Sequence, residues 1–138
     1  MNKNTVLAFT ILMAWATHAL AGDVVVIVNK ANENPVDKAL IAKIYTGESK
    51  AWAAGGSVVA YDLPDDNPAR ASFDNEIVGK TPSSLKSLWT QNTFTGKGVP
   101  PKQAASDEDI KKAISANKNA IGYIKASSVD DTIKVVFK

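Results

Sequence analysis

An α/β single domain, with a central β-sheet flanked by helices, is the fold class this sequence predicts, and three observations predict it. The run "DVVVIVNK", Asp23 to Lys30, is continuously β-branched between polar ends, the pattern of a strand covered on both faces. A helix-opening pair, a capping residue followed by proline, occurs at Asn34-Pro35, Asn67-Pro68 and Thr81-Pro82. The chain then ends on an alternating segment, "TIKVVFK", as a half-buried edge strand would. Strands separated by helical patterns place a sheet in the middle with helices packed on it.

The elements follow in order. After the first strand, Asn34-Pro35 opens a helix whose apolar positions Val36, Leu40 and Ile44 fall at i, i+4 and i+8 before Gly47 stops it. "ESKAWAAGGS" is a turn-rich link in which Trp52 is as readily semi-exposed as buried, and "SVVAY", Ser57 to Tyr61, reads as the second strand. Asn67-Pro68 then precedes Ala69, Phe73 and Ile77, and Thr81-Pro82 precedes Leu85, Leu88 and Trp89, so two helices sit back to back around Gly79. Past the loop "TFTGKGVPPKQAA", Ser106 with Asp109 makes a capping-box-like start, and Ile110, Ala113 and Ile114 mark the buried side of a fourth helix. "NAIGYI", Asn119 to Ile124, is a short strand, and in the last strand Ile133, Val135 and Phe137 share one face. No internal repeat, low-complexity tract or linker divides the chain.

The N-terminal residues read as a targeting segment. Lys3 supplies the charged start, Val6 to Trp15 the apolar run, and Ala19-Leu20-Ala21 a small-x-small cleavage site, so residues 1–21 are expected to be a secretory signal peptide and residues 22–138 the mature domain. The run is far short of the roughly 20 residues that cross a bilayer. The expected location is periplasmic or secreted, with no membrane insertion after cleavage.

Removing that segment takes away the single His and one Lys, leaving 15 basic and 14 acidic residues, a formal charge of +1. Such a balance offers no electrostatic case for nucleic acid. A mature chain without His or Cys also lacks the ligands of a transition-metal site, a His-based triad and a thiol nucleophile, so neither a metal nor another cofactor is expected.

Four motifs invite functional readings. Gly79-Lys80-Thr81 ends like a phosphate loop, but the Gly needed five positions earlier is replaced by Asp74. "TGKGVPP", Thr95 to Pro101, can offer backbone donors to an anion but reads better as an ordinary rigid surface loop. Asp62, Asp65 and Asp66 would do acid–base work only with a buried partner that the spacing does not identify, and read better as solvated turn acids. Finally, "LPDDNPARASF", Leu63 to Phe73, sets acids, a capping Asn and an Arg at a helix start, where backbone amides and the helix dipole suit an anion.

The series "IAKIYTGESKAW", "VVAYDLPDDNPARASF", "LKSLWTQNTFTGKGVPP" and "AISANKNAIGYI" resembles the phosphate-binding proteins of ABC importers, specifically their small one-lobe members. The family's "IF-x-G" followed by tryptophan is matched by Ile44-Tyr45-Thr46-Gly47 and Trp52. Its "W-x(3)-F-x-G" is matched by Trp89, Phe94 and Gly96 with one extra residue, and its "GAIGY" strand by Asn119 to Tyr123. The match runs from Val24 to Phe137.

The resemblance implies a single periplasmic-binding-protein-like lobe of type II fold and a binding protein rather than an enzyme. In two-lobed relatives phosphate sits between the lobes, held partly by "D-G-S-G-T-R-x-x-F" at a helix start. Aligned on Phe73, the Arg falls on Arg70, and Ser-Gly-Thr falls on Asn67-Pro68-Ala69. Two hydroxyl donors are thereby lost, and Pro68 has no amide hydrogen. The implied ligand is phosphate or a similar small oxyanion, held by Arg70, the amides of Ala69 and Arg70, and Asn67, with Ser72 and Asp66 beside them. A carboxylate there can accept the proton of monohydrogen phosphate. Few donors on an open lobe imply a dissociation constant in roughly the high micromolar to millimolar range. The implied partner is an ABC importer or another envelope protein, and the alternative is a ligand-less interaction module that keeps the fold.

Overall fold

The computed structural model describes residues 23–138; the predicted signal peptide lies outside them. The elements are β1 (Val24–Val28), α1 (Lys38–Thr46), β2 (Val59–Asp62), α2 (Pro68–Phe73), α3 (Pro82–Phe94), β3 (Lys102–Gln103), α4 (Asp107–Ala116), β4 (Ala120–Lys125) and β5 (Lys134–Phe137). They form a five-stranded mixed sheet of order β3-β2-β4-β1-β5. β2 runs parallel to β3 and β4, whereas β1 is antiparallel to both β4 and β5.

β1 and β4 hold the centre, and every residue of β1 is buried, as its unbroken β-branched run predicts. β5 lies at an edge. Isoleucines Ile41, Ile110 and Ile114 press from α1 and α4 into the core, with Ile27, Phe73, Ile121 and Tyr123. Gly122 on β4 lets α4 come close: a Cβ there would stand 2.9 Å from both Ile110 Cγ2 and Ile114 Cδ1.

The caps follow the sequence with one exception. The side chains of Asn67, Thr81 and Ser106 accept hydrogen bonds from the amides of Ala69, Ser84 and Asp109. The first helix, however, starts at Lys38, and its cap is Asp37, whose Oδ1 accepts from the Leu40 amide at 2.8 Å. Asn34 is occupied differently: its Oδ1 receives the Ala54 amide and its side-chain amide donates to Asn32, which ties the first loop to the Gly-rich link. Trp52 in that link is buried, its indole donating to the Asn119 carbonyl at 3.0 Å. Beyond α2 the chain continues as one π-helical turn, Asp74–Val78, closed by Gly79 at φ 79°. The wider turn carries Asp74 inward while keeping Ile77 and Val78 in the core.

Candidate functional site

β2 and β3 are parallel and in register at their last residues, Asp62 and Gln103. The chain leaves β2 through Leu63 and a tight turn, Pro64 to Asn67, closed by the Asn67 amide on the Pro64 carbonyl, before α2 begins. Ligands of open α/β sheets bind at such carboxyl ends. A cleft of about 720 Å³ opens here, lined by Asp62, Asp65, Arg70 and Asp74 together with Lys86, Trp89, Phe94 and Gln103.

Arg70 is the centre of the cluster. Its Nη1 donates to the Leu63 carbonyl at 2.9 Å and stands 2.5 Å from an Asp65 oxygen. Its Nε faces Asp62 at 3.6 Å and Asp74, four residues on along the helical turn, at 3.9 Å. One cation thus meets three carboxylates in very different settings: the Asp65 side chain is 67% exposed, those of Asp62 and Asp74 only 9% and 2%.

The buried pair carries the electrostatic cost. Burial first, then repulsion from Asp62, raises the Asp74 carboxyl to about 7 against the opposing pull of Arg70. Burial also raises Asp62, while hydrogen bonding from Tyr123, the Arg70 charge and the Leu63 amide draw it back down. Asp74 Oδ2 has no hydrogen-bond partner among the described residues.

The floor beneath is aromatic. Phe73 stacks on Tyr123 with centroids 3.8 Å apart, and Tyr45 meets Phe73 edge-on at 4.7 Å. The Tyr123 hydroxyl donates to Asp62 and accepts from the Leu63 amide. The Tyr45 hydroxyl donates to the Tyr61 carbonyl at 2.7 Å. Burial, followed by the charge of Asp62, pushes both phenols upward, so they stay protonated donors. On the far wall Trp89 is fixed by its indole, which donates to the Tyr45 carbonyl at 2.9 Å.

The sequence-predicted residues are therefore partly gathered and partly dispersed. Arg70 faces the cleft, with Asp62 and Asp65. Asp62, read as a solvated turn acid, is instead buried, because Tyr123 and the Leu63 amide take its Oδ1. The Asn67 side chain and the amides of Ala69 and Arg70 are already engaged with one another: Ala69 N–H donates to Asn67 Oδ1 and Arg70 N–H to the Asn67 carbonyl. Asp66 is exposed, and neither it nor Ser72 lines the cleft. Sequence reasoning missed Asp74 and Lys86. For Asp74 the available signal was the i, i+4 spacing from Arg70; Lys86 looks like any solvated helix lysine until the fold brings it into the lining of the same cleft.

A mixed sheet flanked by helices, with a cleft at the carboxyl ends of its parallel strands, defines an α/β lobe with its cleft where open sheets of this kind receive ligands. The chain belongs to the family described as the PBP superfamily domain, whose model matches residues 9–137.

Among solved structures it is similar to a putative phosphate ABC transporter substrate-binding protein with bound phosphate from Clostridium perfringens, at 29% identity and a TM-score of 0.66, over 82% of this chain and 43% of that one. It is also similar to an ABC-type phosphate transport receptor from Vibrio cholerae, at 18% identity and a TM-score of 0.64, over 82% of this chain and 44% of that one. PstS from Borrelia burgdorferi matches at 13% identity and a TM-score of 0.62, over 83% of this chain and 46% of that one. The last two likenesses show the fold alone. The chain spans less than half the length of each of these structures, as one lobe would. No curated protein matches it.

Proposed function

We propose that the chain is an exported binding lobe, residues 22–138 after a signal peptide over residues 1–21, that holds inorganic phosphate or a similar small oxyanion weakly and performs no catalysis. Its place is the periplasm or the medium, and its partner is an ABC importer or another envelope protein. The observation that carries this reading is Arg70 in the wall of the cleft at the carboxyl ends of β2 and β3. The phosphate-bound relative from Clostridium perfringens, at 29% identity, supports it.

With the Ala69 and Arg70 amides engaged inside the helix start, attraction for the anion falls to the guanidinium, assisted by Lys86 from α3. Asp74, held to about 7, is half neutral near physiological pH, and a neutral carboxyl does not repel an anion. A half-open cleft leaves each charged hydrogen bond screened by water, which keeps the affinity low.

Titration of the protein with phosphate, followed by amide chemical shifts, tests this. Shifts confined to residues around the cleft, abolished by Arg70→Ala, are expected at millimolar phosphate. Their absence in a folded protein would favour the second reading, an envelope interaction module without a ligand. That reading has its own observation: Phe94 and Val99 are 92% and 79% exposed, and Phe94 stands on the rim of the cleft.

A further inference from the structure

Resting on the oxyanion reading, we propose that the Asp65 carboxylate is an internal competitor for Arg70, which an anion must displace before the guanidinium can hold it. Of the three acids around Arg70, only Asp65 approaches within hydrogen-bond range, at 2.5 Å from Nη1, and only Asp65 stands mostly in solvent. Its position follows from the backbone. Asp65 sits in the Pro64 to Asn67 turn and its side chain reaches Nη1, while Leu63, just before the turn, offers its carbonyl to the same nitrogen.

The two other carboxylates cannot play this part. Asp62 is anchored by Tyr123 and the Leu63 amide, and Asp74 is enclosed by the π-turn. An incoming oxyanion thus exchanges with the one acid that can swing away, losing a contact worth little on its own because it is exposed. While Asp65 stays close, its charge also repels the ligand. The nearby charged groups facing the cleft are Asp62 and Asp74 beneath, and Lys86 from α3 opposite.

The test compares the protein with Asp65→Asn and Asp66→Asn, each titrated with inorganic phosphate at fixed pH and two salt concentrations. Asp66 is a fitting control, since it is exposed on the same turn and makes no ion pair with Arg70 among the described residues. Asp65→Asn is expected to tighten phosphate binding by about two- to tenfold, a gain removed by adding Arg70→Ala, with Asp66→Asn changing it less than half as much. Equal tightening by both variants would reduce Asp65 to one more surface charge and overturn the competitor while leaving the oxyanion site standing. No change in Asp65→Asn would do the same. If none of the three proteins binds phosphate at tens of millimolar while all keep dispersed amide spectra, the oxyanion reading falls and takes the competitor with it. Asp65→Ala repeats the measurement should the asparagine itself pair with Arg70.

Discussion

Replacing Asp74 by Asn should stabilise the protein most in mildly alkaline buffer and markedly less in mildly acidic buffer. Asp74 has an ordinary carboxyl value of 3.8 and stands at about 7 in the folded state, raised by burial first and by Asp62 second. Between those values the native state binds a proton that the unfolded chain does not. Stability therefore falls as pH rises through the window from about 4 to 7, at up to about 1.4 kcal/mol per unit. Across about three units the ceiling is about 4 kcal/mol, fully present as a cost above pH 7 and absent below pH 4. Asparagine keeps the shape of the protonated acid and never ionises. It also lets Asp62 ionise more readily, since the second-largest contribution raising Asp74 is mutual repulsion with that residue. Urea unfolding followed by tryptophan fluorescence at pH 5 and pH 8 measures the difference. Asp74→Asn should gain about 2–4 kcal/mol over the parent at pH 8 and about 1–2 at pH 5, the smaller figure because only about one of the three units has been crossed there. An equal difference at the two values would refute the reasoning, because it would mean that Asp74 titrates alike in the folded and unfolded chains.

Two further outcomes are expected. The same proton should gate binding: as pH falls from 8 to 6, sulfate affinity should rise by about threefold or more, because one negative charge beside Arg70 is neutralised. Sulfate keeps its charge over that window whereas phosphate does not, and in Asp74→Asn the dependence should flatten; a parent curve that is flat or reversed would remove Asp74 from the site's electrostatics. Gly122→Ala should cost about 1–3 kcal/mol, read from the urea midpoint at unchanged slope, since its Cβ meets two fully buried isoleucines of α4 at 2.9 Å. A loss under about 0.5 kcal/mol would mean that α4 sits more loosely on β4 than the structure places it.

Much of the frame was legible because it follows from local rules. A β-branched run without polar interruption has to be covered on both faces, and β1 is. An Asn or Thr before Pro, with apolar residues at helical spacing, marks a start, and α2 and α3 begin as expected, at Pro68 and Pro82. The rule misled at Asn34-Pro35 because a capping residue competes with its neighbours for partners. Asn34 found Ala54 across the Gly-rich link, and Asp37, three residues on, took the helix instead. Trp52 became core for a similar reason: a carbonyl from a distant loop, Asn119, was available to its indole.

Of the candidate site, one residue was legible and its charge state was hidden. Arg70 could be read from its place before Phe73, but its neighbours come from three levels of organisation: Asp65 from a tight turn, Asp74 from a π-turn one helical step away, and Asp62 from the end of a strand whose partner Tyr123 is 61 positions distant. Only the first two are local, and the π-turn has no sequence pattern that separates it from an ordinary helix. The same stretch of acids therefore reads as solvated when taken in sequence and as one exposed and two enclosed carboxylates when folded. That difference decides the chemistry. Three solvated acids would leave the cleft with a fixed negative surplus around Arg70, whereas Asp74, raised to about 7 by burial and by Asp62, gives up part of that surplus near neutrality. Of the acids around the guanidinium, Asp65 is the one that stands mostly in solvent, which is why the proposed exchange with an incoming anion falls on it.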